Sequence, residues 1–137
     1  MSLAWQVSSA TGLFLAGLIW TVHLVLYPLF RLVLPDGWCA YHAQHTRRMG
    51  WVVAPAMLAE LVATAALCFD SSLPIWLRTS LLTLVAVNWL ATGLGAVPLH
   101  QQLAQGLDPR VVDRLLKVDR WRVLAWTLKA VLMQAFS

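Results

Sequence analysis

The chain has 137 residues, of which 60% are hydrophobic and only 12% charged, and its mean hydropathy is +0.70. A soluble domain carries about 25% charged and 45–50% apolar residues, so a soluble globular domain is excluded, and disorder is excluded by the same composition. An integral membrane protein about one domain long remains, and the formal net charge of +4 has to be read against that background.

In chain order, no charge precedes Arg31, and Gly12 to Phe30 is apolar apart from Thr21 and His23. Met49 to Phe69 carries one charge, Glu60, and Thr79 to Leu99 carries none, with Asn88 its polar member. Each run reaches the roughly 20 residues that a helix needs to cross about 30 Å of hydrocarbon. Val118 to Phe136 is weaker, because it holds Asp119, Arg120, Arg122 and Lys129. Strands are disfavoured, since backbone in lipid must satisfy itself within helices or a closed barrel. The prediction is an all-α integral membrane four-helix bundle with short connections, a single domain over residues 1–137, with spans at about 9–34, 49–69, 76–99 and 118–136. The first run lacks a basic start and a small-residue cleavage site, so it is expected to stay as a span. Eight tryptophans support the membrane reading, since indoles favour the boundary between water and lipid.

Pro35-Asp36-Gly37 is a turn signal, and Gly37 to Arg48 reads as a short helix leading into span two. Leu107-Asp108-Pro109 reads as an N-cap followed by proline in the first helical turn. Arg110 to Asp119 then reads as an amphipathic segment lying on the cytoplasmic interface before the fourth span. Eight of the ten basic residues, Arg31, Arg47, Arg48, Arg110, Arg114, Lys117, Arg120 and Arg122, fall in the first and third connections or beside them. The positive-inside rule puts those connections in the cytoplasm and both termini outside, in a bacterial inner membrane. That bias accounts for the basic charge without a nucleic-acid partner. Cys39 and Cys68 are expected about a membrane apart, too far to bridge.

Polar groups inside a bilayer are costly unless partnered, which makes them the informative residues. Counting about 1.5 Å per residue from the expected cytoplasmic span ends places His23, Glu60 and Asn88 in one layer. Two readings of that layer stand: Glu60 accepts from His23 with Asn88 beside them as structural glue, or the group handles protons or binds a metal. Nearer the cytoplasm, His42 and His45 share a helix face at i, i+3, and His100 closes span three on the same side. Three imidazoles at one level suit iron, copper or zinc; hydrogen-bonded catalysis without metal and a simple interface role are the alternatives. Haem needs two facing histidines at one depth, which only His42 or His45 with His100 can offer. His23, Tyr27 and Arg31 recur every four residues as a polar stripe. Arg48, Trp121 and Arg122 are candidates for holding an anionic substrate group, with Asp119 orienting Arg122.

The order of these residues resembles a group of small four-span bacterial membrane proteins without assigned activity. The stretches that carry it are His23 with Tyr27-Pro28-Leu29-Phe30, Tyr41-His42-x-x-His45-x-x-Arg48, Val52-Val53-x-Pro55-x-Met57-x-x-Glu60-Leu61, Pro98-x-His100-x-x-Leu103, and Trp121-Arg122 with Trp126. More distantly, size, span pattern and the His and Trp-Arg positions are similar to the family containing anthrone oxygenases. Where that family has Asn-Trp-x-Arg, this chain has Asp119-Arg120-Trp121-Arg122. The resemblance implies oxidation of an apolar or aromatic molecule reached from the lipid. The resulting expectation is a membrane oxidoreductase or oxygenase acting on a lipophilic small molecule, with Glu60, His23, Tyr27 and Asn88 as the proton-handling group. The alternatives are an accessory or assembly subunit of a larger membrane complex and a proton-coupled carrier that dimerises.

Overall fold

A computed structural model describes residues 2–137. Among them the chain is all-helical, with four helices and no strand. Helix α1 runs Leu3–Leu32, α2 Pro35–Leu67, α3 Ile75–Leu103 and α4 Pro109–Ala135. They run up and down in a ring, with α1 packed on α2 and α4, and α3 on α4 and, along Ile75–Leu90, on α2. The first three are long and apolar enough to cross a membrane. About 30 residues at 1.5 Å each make helices of roughly 45 Å, longer than the hydrocarbon core they would cross.

Local chemistry sets the helix ends. Ser2 caps α1 by accepting from the Trp5 amide at 3.2 Å. Asp108 caps α4 by accepting from the Arg110 amide at 2.8 Å, with Pro109 in the first turn as expected. Asp70 takes two bonds from Ser72, which hold its carboxyl below the ordinary carboxylate value. Arg78 donates to the carbonyl of Cys68, closing the connection between α2 and α3.

Two prolines follow wide turns. Val22–Leu26 is π-helical ahead of Pro28, and Ala91–Ala96 is π-helical ahead of Pro98. Proline has no N–H and clashes with the carbonyl four residues back, and a π turn relieves that demand while keeping the helix going. Such turns recur at functional sites.

Two expected breaks are absent. The segment 37–48 is not a separate entry helix, because α2 is continuous from Pro35 and passes Gly50 and Pro55 unbroken. The segment 110–119 is not a detached interfacial helix, because it forms the first third of α4. In both places the helical sequence carries no stop signal strong enough to outweigh continued packing.

The surface is apolar where a soluble bundle would be polar. Leu24, Trp51, Val62, Leu90 and Leu94 are among the large apolar side chains that face outward. Helix α4 is inverted: Asp119, Arg122 and Lys129 are buried, while Trp121, Leu124 and Val131 are 65%, 60% and 59% exposed. Its low overall hydropathy comes from an interior face that carries charge, and its outer face from Trp121 onward is mostly apolar.

The buried apolar side chains form two clusters. One, around Leu15, Met57, Leu99, Leu115 and Trp126, fills the half that holds the histidines. The other, Trp5, Leu67, Leu77, Leu81 and Met133, fills the half that holds the termini. A layer of buried polar side chains separates them.

Candidate functional site

The dividing layer is built on an ion pair. Lys129 Nζ lies 3.0 Å from Glu60 Oε1, and both side chains are fully buried. Trp126 Nε1 donates to Glu60 Oε2 at 2.9 Å. Lys129 also donates to the carbonyl and hydroxyl of Ser8 at 3.1 and 3.0 Å, and the Ser8 and Thr64 hydroxyls share a bond of 2.8 Å. Helices α1, α2 and α4 are thereby tied at one level. Gly12 leaves room for the ammonium, since a Cβ there would lie 3.0 Å from Lys129 Nζ.

This corrects the expected pairing of Glu60 with His23. His23 Nδ1 meets Asp119 Oδ2 at 3.0 Å instead, and Arg122 donates to Asp119 Oδ1 at 3.1 Å. The depth count failed because α2 begins at Pro35 rather than near Met49. Glu60 is therefore about 20 Å farther from that helix end than the count assumed. Asn88 is fully buried, and neither atom of its carboxamide has a partner.

A second network occupies the other half. Tyr27 Oη and His100 Nε2 are 3.1 Å apart, and His100 Nδ1 and His42 Nε2 are 3.0 Å apart. The His45 ring centroid lies 6.1 Å from that of His100 and 6.4 Å from that of Tyr27, without a hydrogen bond to either. Phe30 packs edge-on against His45 at 4.9 Å. Trp38 stacks on His42 and donates to the Leu103 carbonyl at 2.7 Å, which ties α2 to the end of α3. Arg31 pairs with Asp113 at the exposed rim. The stripe His23, Tyr27, Arg31 is thus satisfied one residue at a time, by Asp119, His100 and Asp113. Trp126 links the Glu60–Lys129 pair to the Arg122–Asp119 pair: its N–H meets Glu60, and its ring lies under Arg122 at 5.4 Å.

Between the helices lies a cavity of about 580 Å³. Its walls are mostly apolar, with Leu15, Ile19, Met57 and Trp89 among them, and Tyr27, His42, His45, His100 and Arg122 supply its charged and aromatic polar groups. The volume lies within the range of small-molecule sites. The structure therefore brings Tyr27, His42, His45, His100 and Arg122 to one chamber. It leaves out Glu60, His23 and Asn88, which do not line it. Arg48 and Trp121 also stand apart from it, as both face outward.

The imidazoles do not present themselves as a metal centre. Among the described residues no group of three or more His, Cys, Asp or Glu side chains is placed to hold a metal ion. Both ring nitrogens of His100 are engaged by Tyr27 and His42. Haem does not fit between His42 and His100 either, since nitrogens 3.0 Å apart leave no room for a macrocycle.

Sequence reasoning missed Lys129 as the partner of Glu60, and with it Ser8 and Thr64. A signal was present: Asp119, Arg122, Trp126 and Lys129 stand at i, i+3, i+7 and i+10, one helix face. Comparisons with protein-family models, with curated proteins and with solved structures find no match to this chain.

Proposed function

We propose that the chain is a four-span membrane oxidoreductase or oxygenase acting on a lipophilic small molecule held in the cavity. The observation that carries the reading is the gathering of Tyr27, His42, His45 and His100 on a mostly apolar chamber of ligand size. Helix α4 serves as the fourth span, its charges turned inward and its outer face apolar. The basic end lies in the cytoplasm and both termini outside, in a bacterial inner membrane.

The acid–base chemistry follows from the hydrogen bonds. A neutral imidazole has one N–H and one lone pair. In the run Tyr27–His100–His42 each group therefore fixes the tautomer of the next, and a proton accepted at one end is passed by exchanging donors and acceptors along it. His45 has no hydrogen-bond partner and faces the cavity, so it is the base for a weakly acidic C–H or O–H of the substrate. The apolar walls keep water from the resulting anion, which dioxygen then oxidises. For an activated methylene, one substrate and one dioxygen give one carbonyl product and one water. Both methylene C–H bonds and the O–O bond break, one oxygen atom stays on the carbon, and the other leaves with the two protons. The histidines take the first proton and return it to the departing oxygen. The resemblance to the anthrone-oxygenase family implies the coarser statement, oxidation of an apolar or aromatic molecule reached from the lipid.

The test is oxygen uptake by the purified chain in nanodiscs, with anthrone as the probe. His45→Ala should lower the rate by about a hundredfold or more. Absence of anthrone-dependent uptake by the unaltered protein, or full uptake by His45→Ala, refutes the redox reading. Topology is tested separately with Cys39, which is exposed. In a Cys68→Ser background an impermeant maleimide should label it only after the membrane is opened.

A further inference from the structure

The cavity has one charged side chain that the acid–base run does not use. Arg122 lines it, is 5% exposed, and has a buried Nε with no hydrogen-bond partner. A guanidinium has five N–H donors. Here Nη1 is on Asp119, and the guanidinium lies over the Trp126 ring. Asp119 divides its two oxygens between Arg122 and His23, so it does not saturate the cation. A buried donor without an acceptor is costly, and an anionic oxygen entering the cavity would accept from it.

The way in is also visible. Trp38 bonded to Leu103 and His42 bonded to His100 hold α2 against α3 at the histidine end. Farther along, α2 packs on α3 over Ile75–Leu90. Between those two ties the helices stand apart. Gly50 and Ala54 of α2 and Gly93 and Val97 of α3 line the cavity there and are exposed at the outer surface. A Cβ built at Gly50 or Gly93 meets no atom within 4 Å. The gap is flanked by Trp51, Val52, Trp89 and Leu90, all outward-facing, which is a surface suited to lipid.

We infer that the cavity binds a membrane-dissolved amphiphile with a single acidic oxygen, such as a carboxylate or phenolate, seated on Arg122, and that this molecule enters sideways from the bilayer between α2 and α3. The inference rests on the cavity being the binding site proposed above, and it is independent of the redox step. Arg122 is then a binding and specificity residue.

The test uses the full chain in phosphatidylcholine nanodiscs and two probes of similar shape, anthracene carboxylate and uncharged methylanthracene. Energy transfer from tryptophan to anthracene reads binding, corrected by empty nanodiscs. The carboxylate should bind about tenfold or more tighter than the methyl compound. Arg122→Gln should abolish that preference and leave methylanthracene binding within about twofold. Because Arg122→Gln leaves Asp119 without its cation, the double substitution Asp119→Asn with Arg122→Gln is the fold-preserving control and should behave alike. Gly50→Phe combined with Gly93→Phe, which fills the gap without a backbone clash, should slow loading of both probes about tenfold. An undiminished carboxylate preference in the charge-free double variant overturns the placement on Arg122. Unchanged loading in the phenylalanine variant overturns the sideways entry. Absence of saturable binding of either probe to the unaltered protein overturns the cavity reading itself. Binding without oxygen uptake refutes only the redox reading and supports this one.

Discussion

Replacing Glu60 by glutamine should unfold more than it disables. At 3.0 Å from Lys129, the Coulomb attraction is about 5–6 kcal/mol at an effective dielectric of about 20. That attraction offsets the desolvation of two charges with no solvent exposure. Removing one partner leaves the other charge buried and uncompensated, at a cost of about 3–5 kcal/mol. Glutamine can still accept from Trp126, so the loss reports the ammonium left behind. Lys129→Met should cost a similar amount by exposing the carboxylate to an apolar interior. The double variant Glu60→Gln with Lys129→Met removes both charges. It should return to within about 1–2 kcal/mol of the unaltered protein, as replaced ion pairs commonly do. Urea unfolding in detergent, followed by tryptophan emission, measures all four proteins, and the coupling energy is read from the cycle. If each single substitution costs less than about 1 kcal/mol, or the double variant is no more stable than the singles, the pair does not hold the three helices together.

Three further outcomes follow from local geometry. A Cβ at Gly95 would lie 2.6 Å from Val118 Cγ1, and valine is stiff about χ1. Gly95→Ala should therefore cost about 1–3 kcal/mol by forcing α3 from α4, and Val118→Ala in the same chain should restore most of it. Asn88→Leu should be neutral or stabilising by about 1–3 kcal/mol, because it removes a buried carboxamide that has no partner; a clear loss in the same unfolding assay would show that the carboxamide is bonded. Trp38→Phe deletes the bond to the Leu103 carbonyl, so it should cost about 1 kcal/mol and speed hydrogen exchange of the amides around Leu103 and Ala104. Unchanged exchange would mean that this bond does not fasten α2 to α3.

What is legible in the sequence is what depends on composition along one helix. The apolar runs specify three helices fit for a bilayer, and the dipeptide Asp108-Pro109 marks the start of α4. The gathering of His42, His45 and His100 is legible too, because HxxH fixes two of them on one face and His100 sits at the matching end of α3. Pairings between helices are not legible. Placing Glu60 by depth requires knowing where α2 starts, and Pro35-Asp36-Gly37 reads equally as a turn and as the first turn of a helix. Lys129 counts in the sequence as one more charge weakening the fourth span, because an average over a window cannot tell an inward charge from an outward one. Charge and motif draw Arg48 and Trp121 toward the site, and helix phase turns both away from it. Cavity and gap come from two helices diverging, which no single segment encodes.

The inverted face of α4 bears on how the chain is made. An isolated helix that carries Asp119, Arg122 and Lys129 toward the middle of a bilayer meets an insertion cost of about 2.5–3.5 kcal/mol for each such residue at the centre. Its outward leucines, valines and tryptophan offset only part of that. The missing stabilisation resides in groups on the earlier helices: Glu60 on α2, and His23 and the Ser8 carbonyl on α1. During synthesis α4 emerges after α1, α2 and α3, so on the four-span reading proposed above its charges can be neutralised as they enter by partners already in place. On that reading, membrane integration of this helix is a docking reaction, and a chain lacking α1 or α2 should release α4 from the bilayer.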